Sequence, residues 1–93
     1  MDTPPSTIQT LVGRDVVFDT AGPITYLGRL LAVEAEGFVL EQADIRDRHE
    51  GHVSKEKYVC DAKAHGIQAN RARIFVFRDA VISVSALEDV IGE

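Results

Sequence analysis

Three groupings of side chains along this 93-residue sequence have the types needed for catalysis or metal binding. His49-Glu50-Gly51-His52 offers two imidazoles and a carboxylate. Two histidines with no further clustered ligand fall short of the three or four that zinc takes from a protein, so no metal is expected. Cys60, Asp61 and His65 supply a thiol, a carboxylate and a base. If that segment is a helix, Cys60 and His65 are five apart and poorly aligned, so a surface or half-buried cysteine is the simpler reading. Ser54 and Lys57 match a Ser-x-x-Lys fragment of serine hydrolases, but the other parts of such an enzyme are missing and a helix cap accounts for the serine. With no convergent acid, base and nucleophile, neither an enzyme nor a cofactor is expected.

A fourth grouping is electrostatic. Arg29, Arg46, Arg48, Arg71, Arg73 and Arg78 lie in or beside strands and loops. Read singly they are solvated or paired with the abundant carboxylates. Read as copies repeated around a symmetric assembly, they concentrate positive charge that the net charge hides, and make a rim for RNA. Tyr26, Tyr58 and the phenylalanines are read as core or interface, not as stacking platforms.

The formal charge is −5, with ten basic against fifteen acidic side chains. A chain of that sign repels polyanions overall and argues against a strong nonspecific grip on nucleic acid. Apolar residues make up 45% and charged residues 27%, ordinary proportions for a soluble globular domain. A single domain of this length buries a little over ~60% of its unfolded surface, so partner contacts gain weight. Cys60 is the only cysteine, which leaves no internal disulfide and no sign of an oxidising compartment. No stretch reads as a signal peptide or a membrane span, so a cytoplasmic location is expected.

The elements that must position these groups follow from periodicity. Thr3-Pro4-Pro5 reads as a helix start, Ile8, Leu11 and Val12 as one apolar stripe, and Gly13 as a stop. The period then changes to two. Val16 and Phe18 share a face of a first strand, Thr20 to Pro23 make a turn, and Ile24 to about Ala35 form a second strand with Tyr26, Gly28 and Leu30 on one face. Gly28 inside a strand marks bending or close backbone approach. After a short turn at Glu34 to Gly37, Phe38 and Leu40 face inward on a third strand that runs to Ile45 or Asp47. Arg46 to Ala72 is a surface insertion. Within it Ser54 to His65 reads as a capped helix with Val59 and Ala62 on one face and Gly66 as terminator, against a rival strand through Tyr58-Val59-Cys60. Arg73 to Val84 reads as two strands joined at Arg78-Asp79, with Phe75 and Phe77 inward and Ile74, Val76 and Ile82 outward. An apolar outer face on such a strand pair calls for another chain to cover it. Ala86 to Gly92 is a short tail, helical or frayed.

A short helix and five strands, with the variable insertion between the third and fourth, resemble the Sm-like family (LSm and Hfq-type proteins). The first family motif is matched by Gly22, Gly28-Arg29-Leu30, Val33-Glu34 and Phe38-Val39-Leu40, with Glu41-Gln42-Ala43 at the acidic strand end. The second is matched by Val76-Phe77-Arg78-Asp79 followed by Val81 to Val84. The resemblance covers Ile8 to Val84 apart from Arg46 to Ala72. It implies a mainly β protein: a single Sm-like domain over residues 1–93, with a strongly bent five-stranded antiparallel sheet forming a small open barrel and an insertion at about 46–72.

The same resemblance implies a function. In the family an acidic residue and an asparagine of the turn, with the arginine of the second motif, hold one RNA base per subunit. The candidate RNA-binding residues here are therefore Glu34, Gly37, Arg78 and Asp79. Glu34 stands for an aspartate, Gly37 for the asparagine and Asp79 for a glycine, and loss of the amide removes both affinity and base discrimination. Family members also close into rings through their fourth and fifth strands, which makes Ile74, Val76, Ile82 and Val84 the candidate subunit interface, in a ring of about five to seven copies of the chain. The expected function is an RNA-chaperone type of single-stranded RNA binding. The alternative is a homo-oligomeric scaffold or protein-interaction module that has lost the base pocket.

Overall fold

Alternation of apolar and polar residues, interrupted at three register shifts, builds the sheet that dominates this chain. The computed structural model describes residues 7–47, 49–50 and 53–92. In chain order the regular elements are β1 (Asp15–Thr20), β2 (Ile24–Val33), β3 (Gly37–Asp47), α1 (Lys55–His65), β4 (Arg71–Phe77) and β5 (Val81–Ala86). Short 3-10 turns occupy Ile8–Leu11, Arg78–Ala80 and Leu87–Asp89. All strand pairs are antiparallel and the order across the sheet is β4-β3-β2-β1-β5.

The expected strong bend into a small open barrel is not seen: the sheet is neither closed nor strongly curled, and its middle carries register irregularities instead. Between Leu27 and Arg29 the partner register on β3 moves from Asp44 to Glu41, so β3 carries one extra residue there. Gln42 takes the strain with a φ of 47°, and Ala43 instead of Gln42 turns into the core. Gly28 lies opposite this bulge, where an added Cβ would stand 3.1 Å from the Cβ of Ala43. The glycine permits the close approach expected of it. A second shift between Leu30 and Ala32 places an extra residue on β2.

Two apolar clusters lie on opposite faces of the sheet. The inner cluster contains Leu11, Val16, Phe18, Leu30, Leu40 and Val76, capped by the first 3-10 turn. The outer cluster joins Val17 and Leu27 to Tyr58, Val59 and Ala62 of α1 and to Leu87 of the tail. The insertion is therefore not a surface appendage. Ser54 caps α1 by accepting a hydrogen bond from the Lys57 amide at 3.2 Å, and Gly66 ends it at a φ of 94°. The helix reading of this segment holds and the strand alternative falls. Ion pairs tie α1 and the tail to the sheet, Lys55 to Asp19 and Arg14 to Glu88, and Lys63 Nζ donates to the Val90 carbonyl at 2.6 Å.

Four expectations need correction. Ile8 and Leu11 do pack on the inner cluster, but the turn is a single 3-10 element and Val12 is exposed; the expected start at Thr3-Pro4-Pro5 lies outside the described residues. Ala86 belongs to β5 and not to the tail, whose helical reading holds only as a 3-10 turn over Leu87–Asp89, with Leu87 buried and Ile91 exposed. β4 and β5 do not pair with each other: they are the two edges of the sheet, joined by Arg78–Ala80. Three residues span at most about 10 Å, so the edges converge at that end. Finally, the faces of β4 are inverted. Val76 is buried and Ile74 half-buried, opposite Phe38 and Leu40 of β3, whereas Phe75 and Phe77 point outward. Residues directly opposite in a ladder share a face, so the inward Phe38 and Leu40 dictate this register.

Candidate nucleic-acid interface

The Glu34–Gly37 turn and the β4–β5 connection meet at one end of the sheet. Glu34 donates its amide to the Gly37 carbonyl at 2.8 Å, and Gly37 donates back to Glu34 at 3.3 Å, leaving Ala35 and Glu36 as the tip of a tight hairpin. Arg78 is laced to that tip twice. Its amide donates to the Glu36 carbonyl at 2.9 Å, and its Nη2 donates to the Glu34 carbonyl at 3.0 Å. The guanidinium also sits 5.7 Å from the Phe38 ring centroid, within cation–π range. A guanidinium has five N–H donors, so most of Arg78's hydrogen-bonding capacity is left for a ligand.

The structure thus brings together Glu34, Gly37 and Arg78, residues 44 positions apart at the extremes. Asp79 follows on the exposed turn, and no ion pair joins it to Arg78 among the described residues. Arg78 also forms one wall of a recess of about 310 Å³, whose other walls include Ile8, Leu11, Phe38, Val81 and Val84. The recess thus pairs largely aliphatic walls with a guanidinium at its rim. Acidic Glu34, Glu36 and Asp79 nearby oppose a phosphate at the same spot.

Gly37 has a structural role besides. A Cβ there would drive far inside contact distance of the Val76 carbonyl oxygen and stand 2.9 Å from the Phe75 ring. Only glycine lets β3 and β4 close together at this end.

The four interface candidates separate. Ile82 is exposed, Ile74 and Val84 are half-buried against the inner cluster, and Val76 is only 2% exposed inside that cluster. Val76 cannot present its side chain to a neighbour. Among the remaining groupings, Ser54 is the cap of α1, and Lys57 pairs with Asp61 at 3.2 Å on its exposed side. His52 lies outside the described residues, and among those described no group of three or more His, Cys, Asp or Glu could hold a metal ion. No helix among them is long and apolar enough to cross a membrane.

One polar cluster had no sequence signal. The Tyr58 hydroxyl donates to Asp44 Oδ2 at 2.7 Å, and the Arg46 guanidinium lies 4.6 Å from the Tyr58 ring centroid. Burial, and then the bond to the Asp44 carboxylate, push the Tyr58 phenol far above its ordinary range. A raised folded value means that Tyr58 contributes its full stability below the unfolded value of about 10 and loses it progressively as pH rises further. Tyr58→Phe should cost about 1.5 kcal/mol at neutral pH. Its native phenolate absorbance curve should overlay that of the wild-type protein, because Tyr58 does not ionise while folded. A curve with one tyrosine fewer would contradict the buried bond.

No protein-family model matches the chain, and no curated protein matches it in sequence. Solved structures do. The Sm protein of Pyrococcus abyssii, in complex with a uridine heptamer, aligns at 17% identity and a TM-score of 0.61, covering 91% of this chain and 99% of that one. A chain of the NatC complex bound to CoA aligns at 16% identity and 0.59, covering 95% and 94%. A chain of the NatC complex bound to Gag peptide and CoA aligns at 14% and 0.54, covering 84% and 87%. At these identities the likeness is one of fold, and the fold is Sm-like.

Proposed function

We propose that this Sm-like chain is a non-enzymatic protein that assembles into a homo-oligomeric ring and binds single-stranded RNA, with Arg78 and the Glu34–Gly37 turn as the contact in each subunit. The observation that carries the reading is Arg78, positioned by two hydrogen bonds on the turn, with most of its donors uncommitted and an apolar recess beside it. The fold supports it as well, since the Pyrococcus Sm protein carries a uridine heptamer. Assembly is supported by the two unpaired edges, β4 and β5. Open edges of this kind are satisfied when each pairs with the other edge of the next copy and the ring closes. The side chains left for that contact are Ile82, Ile74 and Val84.

A second reading, a protein-interaction scaffold without a base pocket, is favoured by the acidic tip and by Gly37, which has no side chain to read a base edge. Similarity to chains of the NatC complex is compatible with it.

Titration of oligo-uridine and oligo-adenine at two salt concentrations separates the two. RNA binding predicts an affinity that falls with salt and drops about tenfold or more in Arg78→Ala, a charge-assisted contact of about 1.5 to 3 kcal/mol. Native mass spectrometry in the same buffers reads the assembly. A monomer at micromolar concentration defeats the ring, and no RNA binding at that concentration leaves the scaffold.

A further inference from the structure

Between α1 and the outer face of β3 lies an open recess of about 520 Å³, which shares no lining residue with the one beside Arg78. Its walls are polar. Asp44 and Arg46 form the β3 side, both half-buried and two residues apart, so their backbones stand about 7 Å from each other on one face. Lys57, Asp61 and His65 follow at intervals of four along α1 and form the other side.

The fold uses the α1 row and leaves the β3 pair open. Lys57 and Asp61 neutralise each other at 3.2 Å, and Lys55, which lies beyond Val53, is paired with Asp19. Asp44 and Arg46 have no ion pair among the described residues, and they do not pair with each other. The Tyr58 hydroxyl occupies Asp44 Oδ2 at 2.7 Å, which leaves Oδ1 without a partner. The Arg46 guanidinium lies over the Tyr58 ring and donates no hydrogen bond among the described residues, so all five of its N–H groups are available. Tyr58, itself buried, thus steadies a carboxylate with its hydroxyl and a cation with its ring before anything binds.

We infer that this recess binds a free α-amino acid, with the ligand carboxylate on Arg46 and its ammonium on Asp44.

Charge selects this ligand class. Arg46 and Lys57 stand against Asp44 and Asp61, so with His65 neutral the walls favour neither an anion nor a cation. Two opposite charges held apart favour a molecule that carries both. In an α-amino acid one carbon separates the ammonium from the carboxylate, and a charge-assisted hydrogen bond of about 2.8 Å at each end brings the span near the Asp44–Arg46 spacing. The planar guanidinium can take the carboxylate with two parallel N–H groups. A phosphate would satisfy Arg46 but face the repulsion of Asp44 and Asp61. His65 and Gln68 also line the recess and make no hydrogen bond among the described residues, which suits a polar ligand side chain.

The test is titration of the isotope-labelled protein with L-glutamine and with glycine, read by amide chemical shifts. Saturable shifts are expected on β3 around Asp44 and Arg46 and on α1 around Tyr58, with a Kd on the order of millimolar, greater than for glycine if the side chain adds nothing. N-acetyl-L-glutamine lacks the ammonium and L-glutamine methyl ester lacks the carboxylate, and each should bind about tenfold more weakly than L-glutamine, or worse. Asp44→Asn removes the charge while keeping an acceptor for the Tyr58 hydroxyl, and Arg46→Gln removes the guanidinium; each should weaken L-glutamine binding about tenfold, with an unchanged circular dichroism spectrum. Absence of saturable shifts with both amino acids at about 10 mM overturns the inference. Equal affinity for the N-acetyl compound overturns it too, because the recess would then be an anion site. Undiminished affinity in a folded Asp44→Asn or Arg46→Gln variant does the same.

Discussion

Gly37→Val should destabilise the protein by about 3 kcal/mol or more, the upper end of what overpacking costs. Gly37 pairs with Phe77 at the start of the β3–β4 ladder, and a Cβ at that position meets the Val76 carbonyl oxygen, a backbone atom held in the ladder. A flexible side chain would swing aside; a ladder carbonyl moves only if the strands part. The Phe75 ring closes the other side, 2.9 Å from the same point. Valine adds two methyl groups to that clash, so the β3–β4 end must open and expose the inner cluster at Phe38 and Val76. Urea denaturation followed by circular dichroism reads the loss. Gly22→Ala is the matched control, because a Cβ there meets nothing within 4 Å and should change stability by less than about 0.5 kcal/mol. If Gly37→Val and Gly22→Ala unfold at the same midpoint, β4 does not press on the turn as described.

The same residue shows how far the sequence can be read. A short turn at Glu34 to Gly37 between two alternating runs is visible in the letters, and β1, β2 and β3 come out with the faces their periodicity assigns. The cap and stop of α1 are visible too, because Ser54 and Gly66 act locally. What the letters leave open is settled between elements. Ile74-Phe75-Val76-Phe77 is apolar at every position, so period two alone cannot choose its face; contact with Phe38 and Leu40 chooses it. One signal was available. Arg71 and Arg73 share parity with Phe75 and Phe77, and arginines on an outward face carry the phenylalanines out with them. The Tyr58–Asp44 bond had no such marker, because it joins an insertion to a strand across 14 positions. Likewise nothing local announces that Arg78 will reach the Glu34 carbonyl. The acidic tip and the arginine are legible as types, and their meeting is a product of the β3–β4 register.

Phe18→Ala should be costlier still, about 3 to 5 kcal/mol. Phe18 is fully buried on β1, paired with Tyr26 on β2 and Val84 on β5, and its ring meets the Phe38 ring edge-on at 5.0 Å. It therefore links the strand next to one edge to the strand next to the other. Deleting the ring loses its transfer free energy and leaves a cavity that four strands cannot close, since their ladders fix the backbone. A small domain has a total stability of only about 5 kcal/mol or little more, so the variant should be largely unfolded near body temperature, whereas Phe18→Leu should cost less than Phe18→Ala by keeping most of the volume. The effect reaches the proposed RNA contact as well. The Phe38 ring also has the Arg78 guanidinium 5.7 Å from its centroid, so a looser Phe38 in Phe18→Leu lets Arg78 leave its perch, and RNA affinity should fall further than that of a core variant in the outer cluster such as Leu27→Met. Equal affinities in those two variants would mean that Arg78 is held by the Glu34 and Glu36 carbonyls alone.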